Sequence, residues 1–340
     1  SSTTAAGRPT YAQLPARNAQ LSEWRFPDAD AGEMRRRSVL PPTLGATFTV
    51  RAAAAAGVGR GRAAAADLHR PFHGVRSLTP QTTPLHRVFA LASRLRPGQL
   101  IGGATAMRVW GYPVPGSWKV TDDIDVVVAT DAVRPRTRGV RSRRLATGRA
   151  QLWWIGRVPV VDPLTALFLC VASFTDDELV VALDALVTTA DNYPGLRADR
   201  PLHTVEEIDQ RLRDWGRFAG CARVRAALPA VRASVESPKE TETRLLLVAA
   251  GLPEPVVQHE IRRDGVNIAR SDLAYPELRI AVEYEGDGHR TDRDQWRRDI
   301  QRQRELEDIG WIVIRVTQLD LDDGGRMLLE RIRRAIASRS

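Results

Sequence analysis

Apolar and polar positions alternate most legibly in the last third of the chain. Ser237 followed by Pro238 reads as an N-cap and first helical residue, and apolar residues recur at helical spacing until Gly251 stops the run, which predicts a helix over Pro238–Ala250. Val256–Arg263 reads as a strand, Asp264-Gly265 as a turn, and Asn267–Tyr275 and Arg279–Glu285 as two further strands joined across Pro276-Glu277-Leu278. A long helix is expected over Asp292–Ile309, closed by Gly310, then a β-branched strand over Trp311–Thr317 and a last helix over Gly325–Ala337. Helix, three strands, helix, strand, helix describes an α/β core around a mixed sheet.

Upstream the pattern is weaker. Residues 1–38 show no sustained period and read as an extension or arm. In 39–79 two alanine-rich runs, the second from Arg62 to Leu68, flank Gly57-Val58-Gly59, and a short strand follows His69-Arg70-Pro71-Phe72-His73-Gly74-Val75. Alanine favours helix and the Gly-x-Gly interrupts it, so the expected order is helix, tight turn, helix, strand: a winged helix-turn-helix with its second helix in the major groove of DNA. Residues 80–232 read as an α+β middle domain. Its helix opens at Gly102-Gly103, its strand carries Asp123-Ile124-Asp125, and the helices over Pro163–Val187 and Val205–Leu228 serve as scaffold. The fourth segment is 237–340.

Composition narrows the class without choosing a function. At 340 residues, 43% hydrophobic and 27% charged, the chain has the make-up of two or three globular domains. The longest apolar run, Val158–Phe174, is broken by Asp162 and Pro163 and reads as buried core, so no membrane span is expected. The first twenty residues lack a secretory signature, and Cys170 and Cys221 are too few for a disulfide framework; the expectation is a cytoplasmic protein with two buried cysteines.

Charge adds a partner. The net +9 is concentrated in two segments. Met34–Leu78 holds eight arginines against the single acid Asp67, and Ala132–Ala150 holds seven arginines and no acid. The last segment, 237–340, has 18 basic and 20 acidic residues. A field so localised fits a polyanion, most simply DNA, contacted through Arg51, Arg60, Arg62 and Arg70 in the first segment and Arg134, Arg136, Arg138, Arg141, Arg143 and Arg144 in the second.

The carboxylates supply candidate chemistry. Glu283 and Glu285 are two apart on a strand and share a face. A hairpin centred between Glu277 and Leu278 sets Asp272 opposite Glu283 and Arg270 opposite Glu285, so three acids converge. Crowded carboxylates repel unless a cation binds them, and a hard ion such as Mg²⁺ is the natural one. A second candidate is the Asp123/Asp125 pair after two glycines, a layout used by nucleotidyltransferases; here the glycines lie far from the acids and no third carboxylate is evident.

Two resemblances follow from these residues. The stretch around the Ala-Gly-Val turn and Arg70-Pro71-Phe72-His73-Gly74-Val75 resembles the N-terminal domain of AbiEi-family antitoxins of type IV toxin–antitoxin systems. Ser237-Pro238-Lys239-Glu240 with Arg244, Gly251-Leu252-Pro253, Ala269-Arg270-Ser271-Asp272, Val282-Glu283-Tyr284-Glu285-Gly286, His289, Arg298-Asp299 with Arg302, and Gly310-Trp311 resemble a Vsr-like endonuclease domain of the PD-(D/E)XK superfamily. That resemblance implies a restriction-endonuclease-like mixed sheet flanked by helices and a metal-dependent DNA endonuclease using Mg²⁺ or Mn²⁺. It implies Asp272 and Glu283 as metal ligands, with Glu240 completing the site and Glu242 on another side of its helix. Glu285 stands where the superfamily commonly has lysine and would bind metal or accept a proton. His289 is a candidate for proton transfer or phosphate contact, while Asp299 and Arg302, on the sheet-facing arc of their helix, and Arg270 would support the site or the phosphate. Repair and phage defence both fit such an enzyme. Cutting both strands would call for two active sites, hence a homodimer. The rival readings are an antitoxin-like DNA-binding regulator with an inactive nuclease fold, and a nucleotidyltransferase using Asp123 and Asp125.

Overall fold

The computed structural model describes residues 38–286, 293–322 and 324–339, with the side chains of 293–299 outside the description. The arm up to residue 37 and His289 therefore lie outside the described residues, as does the side chain of Asp299. The body from Pro41 onward is mixed α/β, with two mixed sheets flanked by helices.

The first elements are strand β1 (Thr47–Thr49), helices α1 (Val50–Ala55) and α2 (Arg60–Ala63), and strand β2 (Val75–Ser77). Thr49 caps α1 by accepting the Ala52 amide at 3.0 Å, and β1 pairs antiparallel with β2. The second alanine-rich run does not form the expected helix. It makes one turn and then breaks, because side chains take over its carbonyls: Arg76 donates to the Ala63 carbonyl and Arg70 to that of Ala64.

The middle of the chain follows as α3 (Pro84–Ala92), β3 (Gln99–Ile101), α4 (Gly103–Trp110), β4 (Ile124–Ala129), β5 (Val140–Leu145), β6 (Leu152–Ile155), β7 (Val158–Val161), α5 (Pro163–Cys170), α6 (Asp176–Val187), α7 (Val205–Trp215) and α8 (Cys221–Ala227). Its five strands lie in the order β5-β4-β3-β7-β6. The run from Val158 is buried as expected, β7 and α5 forming the core with Trp110, Val126, Leu183 and Ile208. Gly102 is required by packing: a Cβ there would run into the Val127 side chain on β4. Both cysteines are free and partly rather than fully buried, Cys170 packing against the core.

The last part is α9 (Pro238–Ala249), β8 (Val256–Arg263), β9 (Val266–Tyr275), β10 (Ile280–Tyr284), α10 (Arg293–Asp308), β11 (Ile312–Val316), α11 (Gln318–Asp322) and α12 (Arg326–Ala337). Every element expected from the periodicity is present, and α11 is additional. The sheet order is β11-β10-β9-β8, with β10 and β11 parallel and the other pairs antiparallel. Alternation along β10 builds two cores. Ile280 and Val282 join Leu247 of α9 and Leu328 and Ile332 of α12, whereas Ala281 joins Leu306 of α10. Glu283 continues the Ala281 face, toward α10.

An ion pair ties α9 to α6. Arg244, 1% exposed, reaches Asp184, 0% exposed, at 3.0 Å. Asp184 also accepts from the Thr241 hydroxyl and the Arg232 amide, and Arg244 further donates to Glu254 and to the Ala230 carbonyl. Burial foremost pushes the Asp184 carboxyl above its ordinary range, against these donors.

Candidate metal centre and nucleic-acid interface

The turn sets the register that the sequence implies. Ile280 pairs with Tyr275, Ala281 with Ala274 and Val282 with Leu273; one step further, Glu283 faces Asp272. The Asp272 Oδ2 atom accepts the Tyr284 amide at 2.8 Å, which fastens the two strands at that step. Glu283 is buried and Asp272 half-buried. Arg302 of α10 donates to Glu283 Oε2 at 3.0 Å, as its place on the sheet-facing arc predicts. The other oxygen, Glu283 Oε1, is buried with no hydrogen-bond partner.

Glu240 sits behind this pair, in the first turn of α9, 4% exposed. Its Oε2 atom accepts from the Gln258 side chain at 2.8 Å and the Glu236 amide at 2.9 Å. Burial first, and the Asp272 charge second, push its carboxyl up to about 7, against these hydrogen bonds. Asp272 is raised mainly by burial and lowered by the Tyr284 amide and Arg302, while the charge of Glu236 raises it. Glu283 is raised by burial and then by Asp272, with Arg302 opposing. Glu242 points away, paired with Lys239.

Glu285 does not join them. It lies one residue past β10, its amide donates to the Val316 carbonyl, and its exposed carboxylate forms an ion pair with Arg315 of β11. Arg270 is not opposite Glu285 either. The β9–β10 ladder ends at Val282 and Leu273; on the other edge of β9 Arg270 faces Glu260 of β8, and its guanidinium meets Glu236 at 2.6 Å. The expected patch of Asp272, Glu283 and Glu285 becomes Asp272 and Glu283 with Glu240 behind.

These residues fit a hard divalent ion in donor type. Asp272 and Glu283 offer oxygen only, and Glu283 Oε1 is an unpartnered buried acceptor. Among the described residues no three His, Cys, Asp or Glu side chains are gathered closely enough to hold a metal, so the fit rests on the pair.

The upstream arginines separate into free and engaged. Arg51 and Arg60 are exposed, as are Arg134, Arg136 and Arg138 in the loop before β5. Arg62 pairs with Asp67, Arg70 holds the Ala64 carbonyl, and Arg144 holds that of Thr130. Arg141 pairs with Asp125 at 2.7 Å and Arg143 donates to the Leu169 carbonyl at 2.7 Å. The six candidate arginines of this second segment run through the loop before β5 and along β5 beside β4, and three of them, Arg141, Arg143 and Arg144, are engaged on the protein itself. Asp123 is exposed and Asp125 buried; together with Arg108, Trp118 and Arg141 they line a cavity of about 270 Å³.

Comparison with other proteins names no activity. No family model matches the chain. Two uncharacterized proteins of Mycobacterium tuberculosis, MT2308 of strain CDC 1551 and Rv2248 of strain H37Rv, are each 30% identical over 128 residues, 38% of this chain. The chain matches about half the length of these relatives, 47%. The crystal structure of the RV2827C protein from the same species covers 64% of this chain and 84% of its own, with a TM-score of 0.36 and 17% identity. No helix among the described residues is long and apolar enough to cross a membrane.

Two residues at the centre escaped the sequence reading. Gln258 adopts φ 51°, a left-handed conformation unusual for glutamine, and its amide reaches Glu240. Glu236, just before α9, supplies both the Arg270 ion pair and the amide to Glu240. Neither position carries a motif; the only signal is the proximity of Glu236 to the Ser237 cap.

Proposed function

We propose that the 237–340 segment is a divalent-metal-dependent endonuclease that hydrolyses DNA phosphodiesters, with the upstream arginines holding the duplex. The observation that carries this reading is the facing pair Asp272 and Glu283, both raised in pKa chiefly by burial and Glu283 further by the Asp272 charge, with Glu283 Oε1 left unpartnered. Like charges brought together at such cost mark a functional site more often than a structural one.

Asp272 and Glu283 would hold Mg²⁺ or Mn²⁺. Such an ion polarises the phosphate and lowers the pKa of its water. Tyr284 orients Asp272 through its amide, which leaves the second carboxylate oxygen for the ion. Arg302 balances Glu283 and stands within reach of an incoming phosphate. With its carboxyl at about 7, Glu240 carries a proton on a substantial fraction of molecules at neutral pH. It can therefore exchange one close to Asp272 without adding a full third negative charge. Glu285, on this geometry, supports β11 through Arg315 rather than the chemistry.

A specific observation favours a second reading, the DNA-binding regulator with an inactive nuclease fold. Arg302 already neutralises Glu283, and no three-ligand cluster stands among the described residues. The nucleotidyltransferase reading gains less, since Arg141 pairs with Asp125 and its charge also acts on Asp123.

Supercoiled plasmid incubated with Mg²⁺ or Mn²⁺ separates these. The nuclease reading expects nicking that is lost in Asp272→Ala and kept in Asp123→Ala. Tight duplex binding without cleavage of any DNA form would replace it with the regulator, and incorporation of labelled nucleotide would replace it with the transferase.

A further inference from the structure

The middle sheet borders a cavity of about 480 Å³ whose aromatic lining the nuclease reading leaves unused. Its size is that of a small-molecule site. The floor is aromatic: Phe168 and Phe218 stack at 4.9 Å, and Trp215 meets Phe168 edge-on at 5.3 Å. The rim is cationic, with Arg141, Arg143 and Arg149.

Each arginine is placed by the protein with part of its fork to spare. Arg141 uses Nε on Asp125, and Arg143 uses one Nη on the Leu169 carbonyl. The Arg149 guanidinium lies 5.5 Å over the Trp215 ring, which Arg211 also covers, and makes no hydrogen bond or ion pair among the described residues. Asp125 is the one carboxylate of the lining, so three cations against one anion leave the wall at net +2. The Cys170 thiol, pushed up to about 12 chiefly by burial, adds no charge. At the same wall α4 begins at Gly103 and Ala104 with no side-chain cap, the Asp125 carboxylate lying beside Gly103.

A flat apolar floor beneath a cationic rim selects a ligand with a flat apolar end and a multiply charged anionic end. Arginine matches phosphate oxygens in pairs, and an aromatic surface accepts any nucleobase by stacking. We propose that this cavity binds a nucleoside phosphate, its base against Phe218 and its phosphates among Arg141, Arg143 and Arg149. The same chemistry is offered by a free nucleotide and by the phosphorylated end of a nucleic-acid strand.

Calorimetric titration of the full chain in EDTA tests this, with ATP, GTP, tripolyphosphate and a 5′-phosphorylated trinucleotide as probes. At least one nucleotide probe should bind, and bind at least tenfold more tightly than tripolyphosphate. Arg149→Glu, an exposed substitution, should weaken it at least tenfold with the thermal unfolding midpoint unchanged, and Arg141→Gln should weaken it as well. Asp272→Asn should bind as the wild type does, which keeps this result separate from the fate of the nuclease reading. Tighter binding of the trinucleotide assigns the cavity to a strand end, and tighter binding of ATP or GTP to a free nucleotide. Absence of binding at millimolar probe, equal affinity for tripolyphosphate, or an Arg149→Glu variant that binds like the wild type would overturn the proposal.

Discussion

Glu240 shows how a single residue can set the pH response of a site. Its carboxyl is raised from an ordinary 4.5 to about 7, so the folded chain holds a proton that the unfolded chain has released. The stability this contributes is complete below about 4.5 and is lost as pH rises through about 7. Glu240→Gln removes the titration. In EDTA it should match the wild type near pH 4.5 and exceed it at pH 8 by roughly 1–3 kcal/mol, read from urea unfolding. A wild type that remains as stable as the variant at pH 8 would contradict the burial argument. At this scale the sequence was informative where local rules operate. The Pro276-Glu277-Leu278 turn fixes the pairing of β9 with β10, so Asp272 opposite Glu283 could be read directly. Glu285 could not, because its partner Arg315 comes from a parallel strand distant in sequence. Gln258 was hidden for a different reason, since its left-handed backbone is imposed by tertiary contacts against its own preference.

Elements are held by a few decisive contacts. Helix α9 presents Glu240 to the centre, and it is docked on α6 by the buried Arg244–Asp184 pair. Removing one partner strands the other charge without water. Arg244→Leu should therefore destabilise the chain by about 3–5 kcal/mol in chemical unfolding. The double variant Arg244→Leu with Asp184→Leu should lose less than the two single losses added together, because the second change removes the stranded charge. Additive losses would mean that the pair acts independently. Periodicity revealed α9 because cap, proline and stop glycine are all local. It misjudged the run after Gly59, where alanine propensity favours helix but Arg70 and Arg76 capture the carbonyls that a longer α2 would need. Propensity is a weak guide where side chains from later in the chain compete for the backbone.

Across the whole molecule, the excess charge and the proposed metal site lie in different segments. The 237–340 segment is nearly neutral, and the excess arginine lies upstream. Not all of that arginine is available to DNA, because Arg62, Arg70 and Arg144 satisfy the protein's own groups, whereas Arg134, Arg136 and Arg138 stand exposed in one loop. If that loop meets the phosphate backbone, replacing the three by alanine should flatten the dependence of log affinity on log salt by about 2–3 for duplex DNA. An unchanged slope would move the contact elsewhere. The arginine count could be read from the sequence; which arginines are free could not, since Leu169 and Thr130 capture theirs only once the sheet has formed. The central claim is that the facing acids are a divalent-cation site, and ion uptake tests it without need of the right DNA. Calorimetric titration of the metal-free protein with Mn²⁺ should reveal binding that is lost in Asp272→Asn and kept in Asp123→Asn. Binding that survives Asp272→Asn, or a wild type that takes up no Mn²⁺, would contradict it.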